Sequence, residues 1–252
     1  MTHQQTLFNL PKPPNAVSVS SDGLSAAVAH DALISYVNLS AASIQQTFPV
    51  PITVQDVILG ESWIYALSNS GSLLSVAIAT GAASGSIYDG SPGGRLNTAV
   101  NAIYGASEYG DELAEYNIST GLITGFQTSS YAIEYPICAP IWFSPDGSRV
   151  YTGCGTVFHA STNSALDLRY ETSFAGTSNI ASLSQSTPLS MVATVQSAAI
   201  YQGNDTVVTL SDSTYLQPLG QFVLPGFTSG SASSALMASG FSSTMPEQIS
   251  SC

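Results

Sequence analysis

The sequence predicts an all-β fold assembled from repeated four-stranded units, and three observations predict it. Tight-turn chemistry recurs between short apolar runs. The units so bounded return at a fixed spacing along the chain. Helical periodicity is weak, and Gly or Pro interrupts nearly every run long enough to make a helix.

The turn chemistry is clearest in "IWFSPDGSRVYT", residues 141–152. Pro145 fixes φ, Asp146 can hydrogen-bond its own backbone, and Gly147 accepts a positive φ. The flanking "IWF" and "RVYT" are rich in aromatic and β-branched residues, as strands are. The segment is therefore a β-hairpin. Pairing its arms about Asp146 puts Phe143 opposite Arg149 and Ile141 opposite Tyr151, and the same register puts Cys138 opposite Cys154. Directly opposed cysteines lie close enough for a disulfide, and that pairing is the expectation, against two buried thiols as the alternative.

Related units begin at "NAVSVSSDG", "VQDVILGES", "LNTAVNAIYG", "APIWFSPDG" and, more loosely, "IASLSQSTPLS". Leu39, Ile78 and Ile118 end corresponding third strands, 39 and 40 residues apart. Four short strands every ~40–45 residues make one blade of a β-propeller. A β-sandwich also has closely spaced strands, but it does not repeat them in fours at a fixed period. The predicted fold is a β-propeller of five complete blades plus an incomplete or split sixth. Residues 1–14 supply an outer strand, "QTLFNLP", and a linker; residues 15–225 are the five blades. The Ser-rich residues 226–252 are either the remnant of a closing blade or a tail on a five-bladed ring. An unclosed blade exposes unpaired N–H and C=O groups, so self-association is expected.

The stretches "FSPDGSRVYTG", "SSDGLSAAVAHDALISYVNLS" and "WIYALSNSGSLLSVAIATG" resemble the YVTN-type repeat proteins, with an S-x-D-G turn between first and second strands. Asn117-Ile118-Ser119-Thr120-Gly121 matches that family's ending of the third strand, and Ala77-Ile78-Ala79-Thr80-Gly81 matches it less closely. The resemblance covers roughly residues 15 to 225 and implies a bacterial surface or secreted propeller related in architecture to WD-repeat proteins. It specifies fold better than function, because propellers host many unrelated activities.

Composition narrows the partners. Only 8% of the 252 residues are charged, and four Lys+Arg stand against sixteen Asp+Glu, for a net charge of −12. Lys12, Arg95, Arg149 and Arg169 are scattered singly, whereas a nucleic-acid binder clusters its cations. Nucleic acid is excluded as a partner. No apolar run is long enough for a membrane-spanning helix, so no membrane insertion is expected. A surface carried by Ser, Thr, Asn, Gln and Gly leans to an extracellular or cell-surface location, although the first residues lack a signal peptide's basic and apolar regions.

Catalytic motifs are absent: the chain has no HExxH, GxSxG, GxxxxGK[ST] or GxGxxG, and no CxxC. His30 and Asp31 fall at a turn, His159 on a strand, and His3 near the terminus; Trp63 and Trp142 sit at strand positions where core packing is the default. One constellation stands out. Turns between second and third strands share an edge with the blade-to-blade connections, and that rim gathers Asp31, Tyr88, Asp89, Tyr109, Tyr131, Glu134 and Tyr135 as candidate ligand-binding residues. Tyrosines suit contacts with a carbohydrate or a protein. Glu108, Asp111 and Glu112 could hold Ca²⁺ through oxygen ligands, the one cofactor considered, and a solvated acidic loop is the plainer alternative. The expected function is non-enzymatic binding or scaffolding. The alternatives are a metal-dependent lactonase- or lyase-like propeller hydrolase, for which three histidines offer little material, and a truncated propeller without activity.

Overall fold

The structure, a computed structural model, describes residues 6–68, 70–88, 93–106, 112–129, 134–177, 179–196 and 207–223, together with the backbone of two short strands at 227–229 and 232–234. Every regular element among them is a β-strand, and all pairing is antiparallel. The fold is a β-propeller. The chain divides into two compact units, Met1–Ala132 and Ile133–Cys252.

In the first unit, β1 (Ala16–Val19), β2 (Ser25–Asn38), β3 (Ser43–Leu59), β4 (Trp63–Ser68), β5 (Ser72–Ala77) and β6 (Ala83–Tyr88) form one six-stranded sheet, in that order. It resolves into two blades because β2 and β3 each serve twice. β2 turns back on itself at Asp31–Ala32, with Ala32 at φ 51°, and the Leu39 N–H donates to Leu24 O across its two arms. β3 first pairs with the second arm of β2 and then with β4. The third blade is β7 (Arg95–Asn97), β8 (Ala102–Ala106), β9 (Leu113–Asn117) and β10 (Gly125–Thr128). Leu39, Ile78 and Ile118 each come directly after a third strand, at the spacing the sequence predicts.

The second unit holds β11 (Ile141–Phe143), β12 (Arg149–Thr152), β13 (Thr156–His159) and β14 (Tyr170–Ser173) as the fourth blade. The fifth is β15 (Ile180–Ser186), β16 (Met191–Gln196), β17 (Val207–Asp212) and β18 (Pro218–Val223). β19 (Phe227–Ser229) and β20 (Ala232–Ser234) pair with each other as a two-stranded sheet, half the strand count of a blade. Five four-stranded blades plus an incomplete sixth is the predicted blade content.

Middle strands are buried on both faces, which is why they lose strict alternation. All five residues of β8, "AIYGA", are buried. One core joins the first and second blades through Ile34, Phe48, Val54, Ile64 and Val76; another joins the second and third through Leu67, Leu73, Ile103 and Tyr116. Tyr151, Val157, Phe174, Ile180, Leu183 and Val192 do the same for the fourth and fifth. Burial pushes the Tyr65 phenol up to about 12.

Two expectations need correction. The hairpin at residues 141–152 pairs Ile141 with Thr152, Trp142 with Tyr151 and Phe143 with Val150, one residue away from the expected register. The reason lies in the turn: Ser144 itself pairs with Arg149, its N–H donating to Arg149 O at 3.1 Å, so the loop holds four residues and is not centred on Asp146. Cys138 and Cys154 are nonetheless bonded, with Cα atoms 5.1 Å apart. The backbone enters beside Gly153, whose N–H donates to Cys138 O at 2.8 Å. The second correction concerns the expected outer strand, "QTLFNLP": residues 6–14 form no strand. That segment is instead tied to the turn of β2. Lys12 Nζ donates to Asp31 O at 2.6 Å, and His30 Nδ1 meets Pro13 O at 3.1 Å.

Candidate functional site: a polar cleft on the fourth and fifth blades

The two S-x-D-G turns have one geometry. In the first blade, Ser20 Oγ donates to Asp22 Oδ1 at 2.5 Å, the Ser25 N–H donates to Ser20 Oγ at 3.0 Å, and Gly23 has φ 70°. In the fourth, Ser144 Oγ donates to Asp146 Oδ1 at 2.5 Å, the Arg149 N–H to Ser144 Oγ at 2.9 Å, and Gly147 has φ 71°. Serine closes the turn and aspartate caps the next free N–H, while only Gly takes the left-handed position without strain. The hydroxyl of Ser144 and the Ser148 backbone hold the Asp146 carboxyl below the usual carboxylate range; Asp22 is held down in the same way by Ser20 and Leu24.

The two turns differ in the strands they lead into. Arg149 opens β12, and its guanidinium spans two blades. Nε donates to both Glu171 oxygens, at 3.0 and 3.1 Å, and Nη2 adds a short contact to Oε1. Nη1 donates to Ser213 O at 2.8 Å and Nη2 to Thr214 O at 3.3 Å, both in the turn between β17 and β18. A planar fork of donors suits this mixed carboxylate and carbonyl target where a lysine would not. His159, at the end of β13, places Nδ1 3.6 Å from Glu171 Oε2. The side chains of Arg149 and Glu171 are each 21% exposed and that of His159 44%, so the group sits at a mouth open to water.

Together these groups line a cleft of about 550 Å³. Ser144, Pro145, Asp146 and Ser148 form one wall, and Ser186, Thr187, Ser190, Met191 and Ser213 come from the turns of the fifth blade. Behind them the Tyr151 hydroxyl reaches Gln185 Oε1 at 3.4 Å, and Gln185 Nε2 donates to Phe143 O at 2.6 Å. Burial raises the Tyr151 pKa, with Arg149 pulling the other way, so the phenol stays protonated at neutral pH. Replacing Arg149 by Met should lower unfolding free energy by about 2 kcal/mol, as charge-assisted hydrogen bonds of this kind are worth. Urea denaturation measures it. An Arg149→Met/Glu171→Gln pair should lose clearly less than the sum of the two single changes.

The cleft is built at first-to-second and third-to-fourth turns, whereas the sequence singled out the second-to-third turns. Of the residues expected there, Asp31 is exposed and accepts from Thr53 Oγ1 at 2.8 Å. Tyr88 ends β6, and Glu112 lies half-buried just before β9. Glu134 is exposed, while Tyr135 is half-buried and stacked on Tyr170, with ring centroids 3.5 Å apart. Asp89, Glu108, Tyr109, Asp111 and Tyr131 lie outside the described residues. Among the described residues no three His, Cys, Asp or Glu side chains gather to hold a metal ion. His30 is fully buried; Pro13 O can only accept, so Nδ1 carries a proton, and Nε2 meets Ser35 Oγ at 3.0 Å. The cleft itself left one signal in the sequence, an arginine placed directly after a turn in a chain with four cations.

These features define a β-propeller with a polar cleft at its turns. No protein-family model matches the chain, and no curated protein matches it. Solved structures do. The Cps50 (Swd1) β-propeller domain of Myceliophteria thermophila is similar at a TM-score of 0.61 and 12% identity, over 84% of this chain and 74% of that one. The dihydro-heme d1 dehydrogenase NirN, in complex with DHE, is similar at 0.63 and 16%, over 85% of this chain. The chain spans about half the length of NirN (48%). At these identities the likeness shows the propeller fold. No helix among the described residues is long and apolar enough to cross a membrane.

Proposed function

We propose that this propeller is a non-catalytic recognition module of the YVTN type, exported or displayed at the cell surface, which takes a glycan or protein partner in the cleft of its fourth and fifth blades. The observation that carries the reading is the cleft itself: a preformed concavity of small-molecule size, lined by hydroxyls, an amide, the Arg149–Glu171 pair and the Asp146 carboxylate. The low charge content and the excess of Asp and Glu over Lys and Arg support a polar, non-nucleic-acid partner.

A hydrolase reading draws on His159, whose imidazole has a carboxylate behind it, as a general base would. Two observations count against it. The 3.6 Å between Nδ1 and Glu171 Oε2 is too long for a hydrogen bond that would orient the ring, and Arg149 Nε already engages both Glu171 oxygens, at 3.0 and 3.1 Å. Thr187 is exposed, and its side chain lines the cleft without capping any turn. Thr187→Trp should therefore obstruct the cleft and leave the fold intact. Binding to partners found on glycan and protein arrays should fall at least tenfold, with an unchanged circular-dichroism spectrum. Unaltered binding, or turnover of a lactone panel lost with His159→Ala, would overturn the reading.

A further inference from the structure

We infer that the ligand of this cleft is a neutral oligosaccharide, an inference that rests on the binding reading above and assigns its ligand class. Several polar atoms of the lining remain unused. Asp146 Oδ1 takes three donors, Ser144 Oγ, Ser148 N and Ser148 Oγ, whereas Oδ2 has no partner among the described residues. His159 Nε2 is likewise without a hydrogen-bond partner among them, and Ser190 and Ser213 also line the cleft. A ligand thus meets one carboxylate oxygen, an imidazole nitrogen and hydroxyls that both donate and accept. Vicinal sugar hydroxyls, which also donate and accept, are complementary in kind to that set.

The ionic groups point the same way. The Arg149 charge is matched by Glu171 and its donors are committed to Glu171, Ser213 O and Thr214 O, so an anionic ligand finds no spare cation and a nearby Asp146 to repel it. A cationic peptide would meet a single free carboxylate oxygen in a cleft of about 550 Å³, far more room than one ammonium fills. That volume suits more than one sugar ring, with Pro145 and Met191 offering apolar surface to ring C–H groups. The cleft is open and polar, so affinity should be roughly millimolar.

Calorimetry and saturation-transfer NMR on the full chain would use maltotriose, xylotriose and triacetylchitotriose as neutral probes and trilysine as the cationic one. At least one trisaccharide should bind, insensitive to salt. It should weaken at least fivefold in Asp146→Asn and in His159→Ala, and be lost in Thr187→Trp, each variant keeping the parent's circular-dichroism spectrum. Trilysine binding that is salt-sensitive and lost in Thr187→Trp, with no saccharide bound, would overturn the sugar assignment and leave the recognition module standing. Saccharide binding indifferent to all three variants would overturn the assignment of the site. No probe binding at all would overturn the sugar class, and array partners blocked by Thr187→Trp would then identify the true ligand.

Discussion

Gly121→Ala should cost about 2–5 kcal/mol, roughly twice what the same change costs at Gly23. Both glycines hold a left-handed backbone, at φ 84° and 70°, where an added Cβ costs roughly 1–2 kcal/mol. Around Gly23 nothing lies within 4 Å of that Cβ, so the backbone cost is the whole cost. At Gly121 the Cβ would collide with the indole of Trp63, which packs beside the core shared by the second and third blades. Moving a packed ring adds about 1–3 kcal/mol of overpacking strain. Urea denaturation of both variants, monitored by circular dichroism, gives the comparison. Equal losses would mean that the indole moves aside freely.

Cys138→Ser/Cys154→Ser should lower stability by about 3 kcal/mol, the chain-entropy value for a closed loop of this length. The bond ties the entry to β11 to the turn after β12, so the loss falls on the second unit. Reductant should reproduce it in the parent protein and have no effect on the double variant. Mass spectrometry of a non-reduced digest should show the two cysteines in one linked peptide pair. Two free thiols there, in protein made under oxidising conditions, would contradict the structure.

Local chemistry is legible in this sequence and long-range assembly is not. Ser20–Gly23 and Ser144–Gly147 announce their turns because serine, aspartate and glycine act on backbone atoms within five residues. The 39- and 40-residue spacings reveal the blades for the same reason: each third strand ends in its own turn. Hairpin register is off by one because it depends on whether Ser144 belongs to the loop or to the ladder, a choice made by hydrogen bonds that composition does not reveal. The cysteines still meet, since a disulfide needs neighbouring Cα atoms and not strict opposition. The cleft is hidden more deeply. Arg149 finds Glu171 22 residues on and Ser213 64 residues on, so nothing local marks them as partners. Tyrosines and carboxylates at the second-to-third turns and the blade-to-blade connections are the louder signal, yet one of them, Tyr135, is stacked against Tyr170.

The passage of β3 from one blade to the next has a mechanical meaning. Thr53 still pairs with Asp31 while Val54, its neighbour, already pairs with Ser68. The handover takes place between adjacent residues, just after Val50–Ile52, which have no register partner on β2. Tension applied to the first blade therefore reaches the second through one continuous backbone that is paired on both sides of the junction. An inserted loop or a cut at this point would uncouple the two blades under force, whereas the exposed turn at Ser40–Ala41, on the same strand's approach, would accept one with little consequence.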